Sequence, residues 1–476
     1  MSQEDAVNEQ DATRRAQDAA HPEEDATRRA EDPSLTGDAT GGFRSPLEEK
    51  VAQRVREARE ELVALTAELV ACDTTAREGP MPARDEEKLQ RVLAARLGAL
   101  GAAAELWEPE PTGDGDRFLP GGLDFVGRPQ LVATLPGAGR GRSLLLNGHI
   151  DAVDVEPRDR WTSDPFVCVE RDGALFGRGV NDMKGGIACL VVALETLRRL
   201  DVRLAGDVVF CTVTDEESSG AGGHRAVEHG VRADAGICAE PTDFAAWVSC
   251  RGTVTPTITI EGRAGHAEMR QPHWREGGAV NAIERLVPLL QAIQRLREDW
   301  RTRPDQQHPL LSPGDIVPTV VKGGSWIVTY PASCELTCDA MYLPGHVDAA
   351  GTGKAIEDEI VACLEAAASA DPWLREHPLT WSWSCDVVPA EMPADHPLVT
   401  TALGCAAAVG RHGVAAGLDS WHDAATFTRG GTPTFSFGPD GVESAHAVDE
   451  RVTVEAMLDY TTAIAVTALR WCGIDG

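Results

Sequence analysis

The sequence predicts an α/β fold: a mostly parallel-sheet domain into which a smaller α+β (split βαβ) domain is inserted. Three observations predict it. Apolar runs from Leu144 in GRSLLLNGHIDAVD, in GDVVFCTVTDEE and in AGICAEPT each end in polar residues and are separated by helical segments, as buried parallel strands are. Near Arg251 the texture changes to strict alternation in TVTPTITIEGRA, as in a half-exposed antiparallel strand. After about Pro389 the α/β texture returns.

The elements follow in order. Residues 1–45 are rich in Asp, Glu, Gln, Ala and Arg, carry the near-repeat QDATRRA/EDATRRA, and read as a disordered acidic tail. The first part of the larger domain spans 46–249. It opens with amphipathic helices over Val51–Leu69 and Glu86–Leu100 and a strand at Gln130, QLVATLPG. Met183–Leu200 is a helix between the first two apolar runs. The inserted domain spans 250–386: a strand, a helix over about Gly277–Asp299, strands at SWIVTYP and SCELTCDAMYLP, a helix over about Val347–Ala370, and a strand at LTWSWSCD. The second part of the larger domain spans 387–476, with a helix His396–Val409, a strand TPTFSFG and a last helix Val454–Cys472.

Composition excludes several classes. The 476 residues are 42% hydrophobic, ample for a large core. A net charge of −31 repels phosphate backbones, so no nucleic-acid partner is expected. No apolar run of about 18 residues offers a spanning helix, and the polar N-terminus lacks the apolar stretch of a secretory signal. The expectation is a cytoplasmic protein with no membrane partner. The 12 cysteines show no CxxC spacing and mostly sit in apolar runs, as buried thiols in a reducing compartment do.

The chemistry-bearing residues lie where parallel sheets build sites, at strand carboxyl ends. His149 and Asp151 form an HxD pair whose alternation puts both side chains on one face. An imidazole ligand needs its second nitrogen held by an acceptor, which Asp151 supplies. Asp182, in GRGVNDMKGG, offers two carboxylate oxygens at a strand-to-helix turn, either to bridge two cations or to cap the helix. Glu216 and Glu217 end an apolar strand as adjacent acids. Like charges this close are costly without a cation, and neighbours that point apart let one bind metal while the other faces a substrate water. Glu240 ends the next strand, and His446 lies in SAHAVDE. Together His149, Asp182, Glu217, Glu240 and His446 supply two imidazoles and three carboxylates. Two divalent ions and a bound hydroxide make that set neutral, and the borderline N/O donors suit Zn²⁺ or Co²⁺.

The order HxD, GRGxxDMKGG, DEE, EP, RG followed by GHA, and AHxxDE resembles the dinuclear zinc peptidase family of acetylornithine deacetylase, succinyl-diaminopimelate desuccinylase, aminoacylase and glutamate carboxypeptidase, over about residues 50–475. The resemblance implies that His149 and Glu240 hold one metal, Glu217 and His446 the other, and that Asp182 bridges. It implies Glu216 as general base and Asp151 as the support of His149. It also makes the inserted domain a lid and a homodimer interface, across which His266, in EGRAGHA, reaches the neighbouring subunit's site and helps stabilise the oxyanion. Asn281 matches a recurring residue of the lid helix, where helix packing also explains it.

Two positions depart from the family pattern. Where many relatives carry a carboxylate-gripping Asn and Arg, this chain has Val328, three residues before Pro331, and Met341, in Asp339-Ala340-Met341. Losing the Arg fork removes a bidentate anion clamp. Either another cation takes its place, with Arg251, Arg263 and Arg429 as candidates, or the substrate lacks a carboxylate there. Trp326 nearby makes that part of the pocket more apolar or packs the lid core. The expected function is amide hydrolysis of a small N-acyl substrate: two divalent ions polarise the acyl oxygen and bring a bridging water's pKa towards ~7. Glu216 then passes the proton to the leaving amine. A deacylase is the first reading, and a dipeptidase or carboxypeptidase the alternative. Two distant alternatives are a non-catalytic binding protein on the same scaffold and an interaction protein acting through its tail.

Overall fold

The structure, a computed structural model, describes residues 42–76 and 84–475, so the expected tail falls outside it except at its last residues. Of these, Ser45 caps the first helix by accepting the Glu48 N–H.

Helices α1 (Pro46–Glu57), α2 (Arg59–Val70) and α3 (Glu86–Ala99) come first. The helix expected over Val51–Leu69 is therefore two. The buried series Val51, Val55, Ala58, Leu62, Leu65, Leu69 runs on without interruption. The turn at Ala58 leaves the apolar period intact, so the period carries no sign of it.

Strands β1 (Ala103–Trp107), β2 (Gln130–Leu135), β3 (Leu144–His149), β4 (Val169–Arg171) and β5 (Ala174–Phe176) precede α4 (Lys184–Arg199). Then follow β6 (Val208–Val213), α5 (Ala221–Glu228), β7 (Ala235–Cys238), β8 (Ala246–Cys250), β9 (Gly252–Val254) and β10 (Pro256–Glu261). The chain continues through α6 (Ala282–Trp300), β11 (Asp315–Gly323), β12 (Ser333–Tyr342), α7 (Lys354–Ser369), α8 (Pro372–Glu376) and β13 (Thr380–Trp383). It ends with α9 (Pro397–Ala408), β14 (Ala415–Leu418), α10 (Ala424–Arg429), β15 (Thr434–Ser436), β16 (Arg451–Thr453) and α11 (Val454–Cys472).

The large sheet has the order β1-β2-β6-β3-β7-β15-β8-β14. Its centre, β6-β3-β7-β15, is parallel, while β1, β2 and the β15–β8 contact are antiparallel. Both faces are covered, as the continuous apolar runs require. Leu144 and Leu146 of β3 join the core with α4 and α11, and Leu145 joins a second core with Phe427 of α10.

The inserted region forms a separate antiparallel sheet, β11-β12-β10-β13 with β9 paired to β12, and its own core of Ile258, Ile260, Leu336 and Trp300 under α6 and α7. Here one expected strand is wrong. SWIVTYP is a turn, and the strand is the preceding DIVPTVVKG of β11. Pro318 sits in this edge strand at a register shift, where its missing N–H costs no ladder bond. None of the 12 cysteines is paired.

Candidate metal centre

Because β3, β6 and β7 run parallel, the residues that follow each arrive at one edge of the sheet. His149 is the last residue of β3, Glu216 and Glu217 follow β6, and Glu240 follows β7. Asp182 arrives from the turn before α4. That helix is seated closely: an added Cβ on Gly185 or Gly186 would lie 2.1 Å from the Val180 carbonyl oxygen or 2.2 Å from that of Ala239. Only glycine lets the α4 start approach the β7 exit so nearly. His446, at φ +61°, comes from the loop before β16.

Asp182 stands between the imidazoles. Its Oδ1 is 3.0 Å from His149 Nε2 and its Oδ2 is 3.2 Å from His446 Nε2. Glu217 Oε2 is 3.2 Å from His446 Nε2, and Glu240 Oε1 is 3.8 Å from His149 Nε2. His149, Asp182 and Glu217 offer donor atoms that all lie within 4.8 Å of one another, a possible metal site. The helix-cap reading of Asp182 is not what the structure has. Met183 holds the position before α4, and the Asp182 carboxylate faces the two imidazoles.

The electrostatics fit cations. Burial raises Glu216 well above the usual carboxylate range and Glu240 to about 7. Burial also opposes ionisation of Asp182, yet the two imidazoles hold it well below its ordinary value. Burial disfavours a charged His149, but Glu240 and Asp182 hold its pKa well above normal. Hydrogen bonds to Asp182 and Glu217 raise His446 to about 10. The buried Glu217 Oε1 has no hydrogen-bond partner among the described residues. Divalent cations are the group that lets so many buried acids stay ionised together.

Asp151 is placed beside His149, but differently from the simplest expectation. His149 Nδ1 lies 3.0 Å from the Asp151 backbone carbonyl and 3.7 Å from its carboxylate. The carboxylate instead accepts the backbone N–H groups of Glu216 (3.2 Å) and Glu217 (3.0 Å).

Sequence reasoning missed Glu450 and Arg178. They form a buried ion pair at 2.6 Å, and the Glu450 carboxylate also accepts the N–H groups of Gly179, Asn181 and Asp182. The pair anchors the turn that carries Asp182. Both residues stand inside quoted motifs, GRGVND and AHAVDE, and a charged residue at each was the available signal.

The cluster lines a cavity of about 420 Å³ whose further wall includes Trp247, Leu418, Trp421 and His422. No Lys or Arg is among the described residues that line it. The three candidate arginines are engaged elsewhere: Arg251 with the Asp419 and Pro313 carbonyls, Arg263 with those of Trp274 and Gly278, Arg429 with that of Gly351. Met341 lies in β12, opposite Asp315 and Thr253. Trp326 is 69% exposed, so it neither packs a lid core nor lines this cavity. It borders a separate hollow with Asn281, whose side chain caps α6 by accepting the Ile283 N–H. His266 is exposed and also absent from the cavity wall of its own chain.

The sequence profile of peptidase family M20/M25/M40 matches residues 145–470. The N-formyl-4-amino-5-aminomethyl-2-methylpyrimidine deformylase of Bacillus subtilis (strain 168) is 28% identical over 438 residues, covering 88% of this chain and 96% of the relative. The acetylornithine deacetylase of Proteus mirabilis is 28% identical over 397 residues, covering 82% and 91%. Among solved structures, the YXEP protein of Bacillus subtilis, described as a dinuclear metal binding peptidase of family M20, superposes with TM-score 0.59 at 15% identity, covering 87% of this chain and 99% of that one.

Proposed function

The chain belongs to peptidase family M20/M25/M40 and is an amide hydrolase of that family, and on this premise we propose that its strand-end cluster holds two divalent metal ions and works as a deacylase. The observation that carries the reading is Asp182, whose two oxygens face two different imidazoles, each with a further carboxylate beside it. His149 and Glu240 would hold one ion, Glu217 and His446 the other, with Asp182 shared. Imidazole and carboxylate donors suit Zn²⁺, with Co²⁺ as an alternative. When bound, such a pair polarises the acyl oxygen and acidifies a water. Glu216, on the cavity wall beside Glu217, would serve as the general base that accepts a proton and returns it to the leaving amine. Asp151 fixes the backbone from which Glu216 and Glu217 project.

The test is metal content. Asp182→Asn is expected to drop bound metal from two equivalents to below one, because a shared negative charge is lost. Elemental analysis that still finds two tightly held ions would overturn the bridge.

The inserted module supports a homodimer. Its edge strand β11 and the exposed Ile283, Val320, Val321, Trp326 and Ile327 (92% exposed) offer a pairing surface. Since His266 stands outside its own cavity, we read it as serving the partner's site. His266→Ala is expected to lower turnover while keeping metal. Co-expression with Glu216→Gln is expected to give heterodimers more active than either parent, since one site then has both residues intact. Heterodimers no better than the parents would sink the assignment. The acidic surface, and the lack among the described residues of a helix long and apolar enough to cross a membrane, support a cytoplasmic enzyme of small molecules with no nucleic-acid or membrane partner.

A further inference from the structure

The cavity has an end that the metal chemistry does not use. His422 is 4% exposed and lines the wall beside Trp247 and Trp421. Its ring centroid lies 6.5 Å from that of Trp247, and the Trp421 indole rests on Gly220. His422 Nδ1 is 2.8 Å from Ser436 Oγ, while its Nε2 is buried with no partner among the described residues. Ser436 is itself fully buried, and among the described residues its hydroxyl has no acceptor except His422 Nδ1. The serine therefore donates to Nδ1, and the ring hydrogen sits on Nε2, on a side chain that lines the cavity. Burial alone lowers the pKa of this imidazole to about 4, so it is a neutral donor at neutral pH. The wall around it combines two indoles with no Lys or Arg among the described residues. An unpaired buried donor of this kind gains from a hydrogen-bond acceptor on a ligand.

We propose that His422 is a specificity-determining residue. Its Nε2–H selects an amine half that is flat, uncharged and carries a hydrogen-bond acceptor in its ring, such as an aminomethyl-substituted nitrogen heteroaromatic. This inference rests on the deacylase reading and names its substrate class. It explains why no arginine clamp is needed: Val328 and Met341 stand where a carboxylate would be gripped, and none of the three candidate arginines reaches this cavity. It also agrees with the similarity to the N-formyl-4-amino-5-aminomethyl-2-methylpyrimidine deformylase of Bacillus subtilis. A carboxylate on the amine half would meet indoles and neutral donors, with no Lys or Arg among the described lining residues, which is poor compensation for desolvation.

The experiment compares three N-formyl compounds on the metal-loaded enzyme: an (aminomethyl)pyrimidine, a benzylamine of the same shape without ring nitrogens, and an amino acid. The wild type is expected to prefer the pyrimidine over the benzylamine by about tenfold or more in kcat/KM, the scale of one buried hydrogen bond. His422→Phe is expected to erase that ratio through KM, and His422→Gln to restore part of it. Equal losses on both substrates, or a wild-type preference for the amino acid, would overturn the proposal. Calorimetric binding of the free (aminomethyl)pyrimidine separates the two readings. If no N-acyl amine is cleaved but this amine binds and His422→Phe weakens it at least tenfold, the reaction is wrong and the recognition stands. If N-acyl amines are cleaved but His422→Phe changes neither the ratio nor this affinity, the recognition is wrong and the reaction stands. Failure of the amine to bind the wild type also overturns the recognition.

Discussion

Glu216→Gln is expected to lower kcat by about 10²–10⁴-fold, the usual contribution of a positioned acid–base group, with metal content unchanged. The amide keeps the shape of the side chain, and the backbone N–H of residue 216 still binds Asp151. What is lost is the ability to accept and return a proton. The control lies in the neighbouring residue: Glu217 Oε2 is 3.2 Å from His446 Nε2, so Glu217→Gln should cost metal as well as rate. If instead Glu216→Gln released metal and Glu217→Gln did not, the two roles would be reversed.

Glu450→Ala is expected to cost about 3–5 kcal/mol of stability, the range for removing one partner of a buried ion pair. Arg178 and Glu450 are both almost wholly buried, so the guanidinium would be left uncompensated. The N–H groups of Gly179, Asn181 and Asp182 would also lose their acceptor. Denaturant unfolding reads the stability, and metal titration reads the turn. A change below about 1 kcal/mol would mean that the pair does not hold the Asp182 turn in place.

The donors were legible because they share one grammar. Each stands at the polar end of an apolar strand or in a glycine-flanked turn, and parallel pairing alone gathers such ends at one edge. What was not legible depends on partners without a sequence signature. The Asp151 carboxylate goes to two backbone N–H groups, and any residue would supply those. The break at Ala58 preserves the apolar period that a helix reading relies on. SWIVTYP has the β-branched and aromatic content of a strand yet forms a turn, while β11 carries a proline that argues against a strand. β8, which places Trp247, meets β15 only at the Ser436–Trp247 pair, too brief a pairing for a pattern to reveal. The His422 end of the cavity was invisible for the same reason: Ser436 and His422 are 14 residues apart and meet only once β15 is in place.

The carboxylate of Asp151 has a consequence for how such a scaffold ages. By holding the amides of 216 and 217, it makes three positions one heritable unit. A lineage that lost the acid at 151 first would misaim both neighbours at once, with nothing gained. A lineage that had already abandoned Glu216 would keep Asp151 only for the loop. Loss of the acid at 151 is therefore expected to disturb 216 and 217 together, through two hydrogen bonds rather than through the chemistry.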